Sequence, residues 1–256
     1  MTGPTGNQDP DSISRERVLA TAVVIGRAGS RGLPGKNALR VGGIPMIARS
    51  VGHAVSAATV GRVLCSTDGD EIAEAASRAG AELVRRPREL ANDHATVDSA
   101  VRHAIIASGD EARFVVILYG NIPVRPHDLV DRAVEMLVST SADSVQSYSP
   151  VGKHHPFWTC RVDDEARVAA WEPNRIHRRQ DLPPAFIPDG GVLAVTRDSL
   201  FRVDCDDPHA FLGVDRRGIR NPAGSVVDVD DEIDLLVAEA MIARESDASP
   251  EGTGGS

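Results

Sequence analysis

The 256-residue sequence has few cysteines, no excess of positive charge and no long hydrophobic run. Its three cysteines, Cys65, Cys160 and Cys205, lie far apart and form no Cys-x-x-Cys pair, which excludes a disulfide framework and favours a reducing compartment. The net charge of −9 argues against general nucleic-acid binding, which needs a broad basic face. No segment approaches the run of about 20 apolar residues that a spanning helix requires, and no secretory signal is present. We therefore expect a cytoplasmic protein without nucleic-acid or membrane partners.

Apolar runs typical of strands alternate with helical patterns along the chain. We expect flexible tails at residues 1–16 and 246–256, and one domain over residues 17–245. The predicted strands are Val18–Ile25, Val60–Ser66, Ala81–Val84 and Phe114–Tyr119, and the predicted helices are Pro45–Ala58, Asp70–Ala79, Val97–Ala107 and Asp128–Val138. Repeated strand–helix alternation predicts an α/β, Rossmann-like fold with a mainly parallel sheet and helices on both faces.

The middle of the chain interrupts this alternation. Residues 150–188 are rich in His, Trp, Phe and Pro and contain no long periodic segment. They predict an excursion from the sheet, a hairpin or protruding arm that serves as a lid or a subunit contact. Beyond it we expect a returning strand at Gly191–Val195, a short strand end at Val226–Val229 and a closing helix at Glu232–Arg244.

The loop after the first predicted strand, residues 26–37, has the composition of a phosphate-binding loop. Its four glycines allow a close backbone approach to a ligand, and Arg27, Arg31 and Lys36 supply three cations. With Ser30 and the backbone N–H groups they would form a triphosphate cradle at the carboxyl end of a strand. The loop has neither the Walker order nor the GxGxxG order. The alternative is a solvated basic turn.

The loop resembles the signature of the CMP-acylneuraminate (CMP-sialic acid) cytidylyltransferase family. Four further segments resemble family motifs in the same order: Ser66-Thr67-Asp68, Arg86–Asp93, Arg179–Pro183 and Asp228-Val229-Asp230. The resemblance spans roughly residues 19–244. It implies transfer of CMP from CTP to a sugar acid, in which an acceptor hydroxyl attacks the α-phosphorus and pyrophosphate leaves. It also implies a homodimer in which the arm reaches the neighbouring subunit.

The resemblance assigns roles to individual residues. Nucleotide binding falls to Arg27, Ala28, Gly29, Ser30, Arg31, Lys36, Asn37 and Arg86, and catalysis to Arg27, Lys36, Asp228 and Asp230. The last two are also the implied Mg²⁺ ligands. Their spacing agrees with this role, because residues two apart on a strand point the same way and carboxylates suit Mg²⁺. The alternative for this pair is an acidic loop.

The acceptor half matches the family less well. The implied acceptor-binding residues are Tyr119, Asn121, Arg125, Trp158, Arg179, Gln180 and Asp189. Tyr119 replaces the family's glutamine and Trp158 replaces a lysine, whereas Arg125 and Arg179 still offer a fork for a carboxylate. Both replacements favour an acidic acceptor less polar than N-acetylneuraminate, such as a more heavily acylated or deoxygenated nonulosonate. Neutral drift within a sialic-acid specificity is the alternative.

Two other functions remain open at this stage. One is a nucleotidyltransferase of the same fold that uses another nucleotide or a smaller acidic acceptor. The other is a nucleotide-binding protein without turnover, against which the retention of Lys36, Asp228 and Asp230 argues.

Overall fold

The computed structural model describes residues 19–29, 32–204 and 206–248, without the side chains of residues 246–248. Its strands, in chain order, are β1 (Ala20–Ile25), β2 (Arg40–Val41), β3 (Ile44–Pro45), β4 (Val60–Thr67), β5 (Glu82–Arg85), β6 (Phe114–Tyr119), β7 (Ser144–Pro150), β8 (Cys160–Val162), β9 (Val168–Ala170), β10 (Phe186–Thr196) and β11 (Arg216–Arg220). The helices are α1 (Met46–Ser56), α2 (Asp70–Arg78), α3 (Val97–Ala107), α4 (Leu129–Thr140), α5 (Arg197–Leu200) and α6 (Glu232–Ala248).

Seven strands form the central sheet in the order β11-β7-β10-β6-β1-β4-β5. All its neighbouring pairs are parallel except those of β10, which runs antiparallel to both β6 and β7. The chain leaves β1 for β4 on one side and later returns to β6 on the other. The connection therefore reverses direction between β1 and β6, and open α/β sheets bind ligands at such a point.

Helices cover both faces of the sheet, as the sequence predicts. Helices α1, α2 and α4 bury an apolar stripe against one face, and α3 and α5 cover the other. Strand β1 is buried at all six positions, which explains why its sequence is continuously apolar rather than alternating. A third apolar cluster lies under α6, where Ala238 and Ile242 pack with Val227 and Val229. None of the described helices is long and apolar enough to cross a membrane.

Several predicted boundaries are wrong. The returning strand is longer than Gly191–Val195, since β10 extends back to Phe186 and pairs there with the end of β7. Val226–Val229 forms no strand and contributes only an isolated bridge between Val227 and Val124. Strands β7 and β11 were not predicted from the sequence. The predicted tails lie largely outside the described residues, although α6 continues to Ala248, beyond the predicted end at Arg244.

The segment 150–188 does leave the sheet. Its base is a continuation of the β7–β10 pair, and its outer part is the antiparallel hairpin of β8 and β9. We call residues 150–188 the arm. Its hairpin is exposed at every position, and Val162, Val168 and Trp171 present apolar surface to solvent.

A half-buried histidine makes the stability of this fold dependent on pH. His53 in α1 feels the charge of the Arg125 guanidinium, and its ring centroid is 5.7 Å from that of His127. Burial, reinforced by the charge of Arg125, lowers the pKa of His53 from 6.5 to about 3. His53 is therefore neutral in the native state at pH values where the unfolded chain binds a proton.

This pKa predicts a loss of stability as the pH falls from about 6.5 towards 3. Between pH 6.5 and 5, the free energy of unfolding of the wild type should fall by about 2 kcal/mol more than that of His53→Gln. Urea unfolding at both pH values measures the difference. His127→Gln is the matched control, because His127 is exposed. Equal acid sensitivity of the wild type and His53→Gln would contradict the assignment.

Candidate active site

A cavity of about 560 Å³ opens at the carboxyl ends of β1 and β6, where the chain reverses direction. We call it the first cavity. Its polar lining includes four residues that the sequence predicts to bind nucleotide, namely Arg27, Lys36, Asn37 and Arg86. Asn121 and one of the two predicted metal ligands, Asp230, also line it. Residues more than 190 positions apart thus meet at the switch point.

The two described loop cations that line the first cavity each face a carboxylate. Lys36 Nζ lies 2.5 Å from Asp230 Oδ1, and Arg27 Nη1 lies 2.6 Å from Asp93 Oδ1. Each pair joins the loop after β1 to a distant segment of the chain. A bound triphosphate would have to draw both cations away from these carboxylates.

Glycine is required where the loop meets the Asp230 segment. A Cβ atom on Gly32 would lie 2.6 Å from the backbone oxygen of Asp230, which is closer than real Cβ contacts allow. Gly35 adopts a left-handed conformation at φ 65°, which an L side chain disfavours. These two positions explain part of the glycine content of the loop. Ser30 and Arg31 lie outside the described residues.

Three further residues that the sequence predicts to bind nucleotide, Ala28, Asn37 and Arg86, are held by hydrogen bonds within the protein. The Arg86 guanidinium donates to the Ser66 carbonyl at 2.6 Å and to Ser66 Oγ at 3.1 Å. Ala28 N–H donates to Asp68 at 2.9 Å, so the motif after β4 also orients the loop. Asn37 donates to the Arg27 carbonyl at 2.9 Å, and its Oδ1 is buried without a donor among the described residues. Gly29 continues the loop.

Asp228 and Asp230 share an exposed side of their segment. Val227 and Val229 are buried, whereas the two aspartates between and beyond them are exposed. Asn121 donates to Asp228 Oδ1. Desolvation and the negative charge of Asp230 raise the pKa of Asp228 to about 6. No described cluster contains three His, Cys, Asp or Glu side chains able to hold a metal ion. Two carboxylates fit Mg²⁺, which takes further ligands from substrate phosphates and water.

A second cavity, of about 490 Å³, adjoins the first. Thr96, Val97 and Tyr119 line both cavities. Tyr119 follows the last buried position of β6, and burial together with the Asp228 charge raises its pKa. The side chain of Tyr119 thus forms part of the boundary between the two spaces.

The second cavity is mixed in character. Beyond the shared residues its lining is apolar at Pro188, Leu193, Pro208, Phe211 and Leu212, and polar at Asp98, Gln146, Tyr148, His209 and Arg216. None of these was a candidate in the sequence analysis. The alternation at Gln146 and Tyr148 was the available signal, but it required β7 to be recognised as a strand.

The structure places Arg125 outside the lining of both cavities. The residue is 3% exposed. One guanidinium nitrogen donates to the carbonyls of Ile122 and Tyr119 at 2.9 and 3.3 Å, so it fastens the loop after β6. Its Nε and Nη1 are buried without a hydrogen-bond partner among the described residues, and burial lowers the pKa of Arg125 to about 9. The carboxylate fork at Arg125 stays a prediction.

Asp189 is also placed differently from the prediction. Its carboxylate accepts hydrogen bonds from Ser147, Ser149 (3.0 Å), Asn221 (2.9 Å) and the Gly191 N–H (3.0 Å). These bonds join β7, β10 and the segment after β11, and Asp189 lines neither cavity. Its oxygens already accept four bonds within the protein, so the structure gives Asp189 a role in joining these segments, and its acceptor-binding role stays a prediction.

Three predicted acceptor residues lie in the arm, apart from Tyr119. Trp158 donates its indole N–H to the Ile176 carbonyl at 3.1 Å, and Arg179 borders a shallow hollow at the base of the arm. Gln180 occupies the same short turn as Arg179. None of the three lines the first or second cavity of its own chain. Asn121, in contrast, lines the first cavity.

A family model described as cytidylyltransferase matches residues 21–165. The chain belongs to the cytidylyltransferase family. An N-acylneuraminate cytidylyltransferase of Streptococcus agalactiae serotype V is 29% identical over 182 residues, which are 70% of this chain and 44% of that protein. A CMP-N,N'-diacetyllegionaminic acid synthase of Legionella pneumophila is 26% identical over 242 residues, 91% of this chain and 99% of that protein.

A solved structure supports the fold. A CMP:2-keto-3-deoxy-manno-octonic acid synthetase, in complex with CTP, superposes with a TM-score of 0.67 at 21% identity, covering 89% of this chain and 99% of that one. The resemblance drawn from the sequence motifs is thereby confirmed at the level of family and fold. The chain spans less than half the length of the streptococcal relatives.

Proposed function

We propose that this member of the cytidylyltransferase family transfers CMP from CTP to an acidic sugar and releases pyrophosphate. The observation that supports this most directly is the first cavity, in which Arg27, Lys36 and Arg86 meet Asp230. A triphosphate needs several cations and a metal, and a nucleoside needs a neighbouring polar wall. The second cavity adjoins this site through Tyr119 and offers space for an acceptor.

In this proposal the protein acts by positioning and by stabilising charge. The acceptor hydroxyl forms a bond to the α-phosphorus, the bond from that phosphorus to the pyrophosphate oxygen breaks, and the hydroxyl proton is released. Lys36 and Arg27 exchange their carboxylate partners for phosphate oxygens and stabilise the departing pyrophosphate. The bonds of Arg86 to Ser66 hold it rigidly at the nucleoside side.

Mg²⁺ is the cofactor that we propose for the Asp228 and Asp230 carboxylates. When bound, it would neutralise charge on the triphosphate and hold the phosphate chain in place. Asn121, which lines the first cavity, donates to Asp228 and fixes the position of that carboxylate. Because Asp230 also pairs with Lys36, a cation on Asp230 would weaken that pair and favour contact between Lys36 and phosphate.

The nucleotide assignment predicts selective stabilisation by CTP. In the presence of Mg²⁺, CTP should raise the Tm more than ATP, GTP or UTP, because a ligand that binds only the native state stabilises it. Lys36→Ala should reduce the shift for every nucleotide, since it removes a phosphate contact without changing the nucleoside side. Thermal unfolding with each nucleotide measures both effects. Equal shifts for all four nucleotides in the wild type would rule out the cytidine assignment.

We further propose an acceptor less polar than N-acetylneuraminate. Phe211, Leu212, Leu193 and Tyr119 give the second cavity an apolar wall suited to acyl and deoxygenated groups. The Legionella relative is named for an N,N'-diacetylated sugar acid, which agrees with this chemistry. The buried position of Arg125 weakens the argument for a carboxylate fork within one chain and leaves Arg179, acting from a partner subunit, as the candidate.

Steady-state kinetics test the acceptor. With CTP and Mg²⁺, the kcat/KM of pyrophosphate release should be at least about tenfold higher for N,N'-diacetyllegionaminic acid than for N-acetylneuraminate, the scale of a few apolar contacts. A tenfold preference in the opposite direction would show that Tyr119 reflects drift. Absence of turnover with any sugar acid, despite CTP binding, would favour a nucleotide-binding protein.

The arm is the segment that we propose to form a homodimer contact. Its exposed hairpin presents Val162, Val168 and Trp171, an apolar group that a second subunit would cover. Trp171 is held by the Arg161 guanidinium, 4.3 Å from its ring centroid. Such a contact would bring Trp158 and Arg179 towards the second cavity of the partner, which neither reaches in its own chain.

Charge introduced into the hairpin should dissociate the dimer. Val168→Asp is expected to sediment as a monomer at micromolar concentration and to lose acceptor turnover while retaining the Tm shift with CTP. Val214→Asp is the matched control, because Val214 is 87% exposed and lies outside the arm, whereas Val168 is 68% exposed. A wild-type monomer with full activity at nanomolar concentration would contradict the proposal.

A further inference from the structure

The second cavity contains a side-chain amide that no motif singled out. Gln146 lies on β7, is half-buried and lines the cavity together with Tyr119. The sequence departs from its family at Tyr119, where an amide is replaced by a phenol. Gln146 places an amide in the second cavity, which Tyr119 also lines, but it does so from β7 rather than from β6.

The register of the sheet places Gln146 on the correct face. Leu193 of β10 is paired with Ile117 of β6 on one side and with Gln146 of β7 on the other, so these three side chains form a row. Two residues further along the parallel strands β6 and β7 lie Tyr119 and Tyr148, on the same face as the row. In that row one strand separates Ile117 from Gln146, so their backbones are about 10 Å apart, a distance that an acylated nine-carbon sugar acid spans.

Tyr148 orients the Gln146 amide. Its hydroxyl donates to Gln146 Oε1 at 3.2 Å, which directs the amide N–H groups away from Tyr148. The Tyr148 ring packs against Gly218 of β11, where an added Cβ would lie 3.2 Å from the ring. The Tyr148 carbonyl accepts from the Asn221 N–H at 2.8 Å. Tyr148 is thus fixed through both ring and backbone.

The amide nitrogen of Gln146 has no protein acceptor among the described hydrogen bonds. Its paired neighbour on the sheet is Leu193, and the cavity residues Phe211 and Leu212 add apolar surface, while Asp98 is the carboxylate in the same lining. A ligand that fills the cavity displaces water from the half-buried amide, which then needs an oxygen of that ligand as its acceptor. The carbonyl of an acylamido group supplies that oxygen and an apolar methyl group for the surrounding wall.

We propose that Gln146 is a specificity-determining residue that donates a hydrogen bond to the carbonyl of an acylamido substituent on the acceptor, and that Tyr148 is its positioning residue. This inference rests on the proposed cytidylyl transfer. Tyr119 marks the end of the acceptor nearest the nucleotide, and Gln146 binds a substituent remote from the reacting hydroxyl. Gln146, oriented by Tyr148, recognises the acyl group, and the arm does not take part in this recognition.

Two acceptors that differ only in carrying acetamido or hydroxyl groups at the same positions test the inference. The probes are N,N'-diacetyllegionaminic acid and its counterpart with hydroxyl groups in place of both acetamido groups. Gln146→Leu should lower kcat/KM for the diacetylated probe about 10- to 100-fold, mainly through KM, and change that for the hydroxyl probe less than threefold. Gln146→Asn should restore part of the loss. Tyr148→Phe should show the same selectivity at a smaller amplitude.

Arg217→Leu on β11 is the matched control, since Arg217 is exposed, pairs with Asp215 and lines neither cavity. It should leave the kinetics of both probes and the KM for CTP unchanged. Equal losses for both probes in Gln146→Leu would indicate a structural role and overturn the inference, as would no loss for either. If the wild type releases no pyrophosphate with any sugar acid, the proposed function itself fails.

Discussion

The hydrogen bonds of the buried Arg125 guanidinium hold the loop that forms part of the wall of both cavities. It donates to the carbonyls of Tyr119 and Ile122, and Ser50 of α1 donates to the same two carbonyls at 2.9 and 3.0 Å. The segment between β6 and α4 is thereby fixed to the helix beneath it. That segment presents Tyr119 to both cavities and Asn121 to Asp228. Loss of this charge would leave the single hydroxyl proton of Ser50 to serve both carbonyls, and the boundary between the cavities would be held less firmly.

The architecture follows from patterns that a sequence displays locally. Strand β1 is buried on both faces, and its sequence is therefore a continuous apolar run. Helix α1 is buried on one face, and its sequence therefore shows an apolar stripe. Strand β7 is different. Its sequence, SVQSYSP, has few apolar residues, because one face meets the second cavity and the serines bond to Asp189. A strand with a polar face inside the protein has the sequence of a loop.

The nucleotide half of the candidate site was predictable because its residues cluster in short motifs that precede or follow strands. Arg27, Lys36 and Asn37 follow β1, Arg86 follows β5, and all four line the first cavity at the carboxyl edge of the sheet. The acceptor half was not, since Gln146, Phe211 and Arg216 come from separate segments and meet only through the sheet. Arg125 and Asp189 show the opposite case. Their charge suggested a ligand contact, whereas in the structure Arg125 donates to carbonyls of its own loop and Asp189 accepts from hydroxyl and amide groups of the protein.

The ion pairs in the first cavity influence how dissolved salt acts on the encounter with a nucleotide. Lys36 and Arg27 already face carboxylates, so they present little positive potential to an approaching triphosphate. The chain as a whole carries a charge of −9 and repels such an anion. That repulsion extends over about 30 Å at 0.01 M ionic strength and about 8 Å at 0.15 M. In the proposed reaction, added electrolyte would therefore assist the first approach of the triphosphate, the reverse of electrostatic steering, and the attraction by Lys36 and Arg27 would increase once they leave their carboxylate partners.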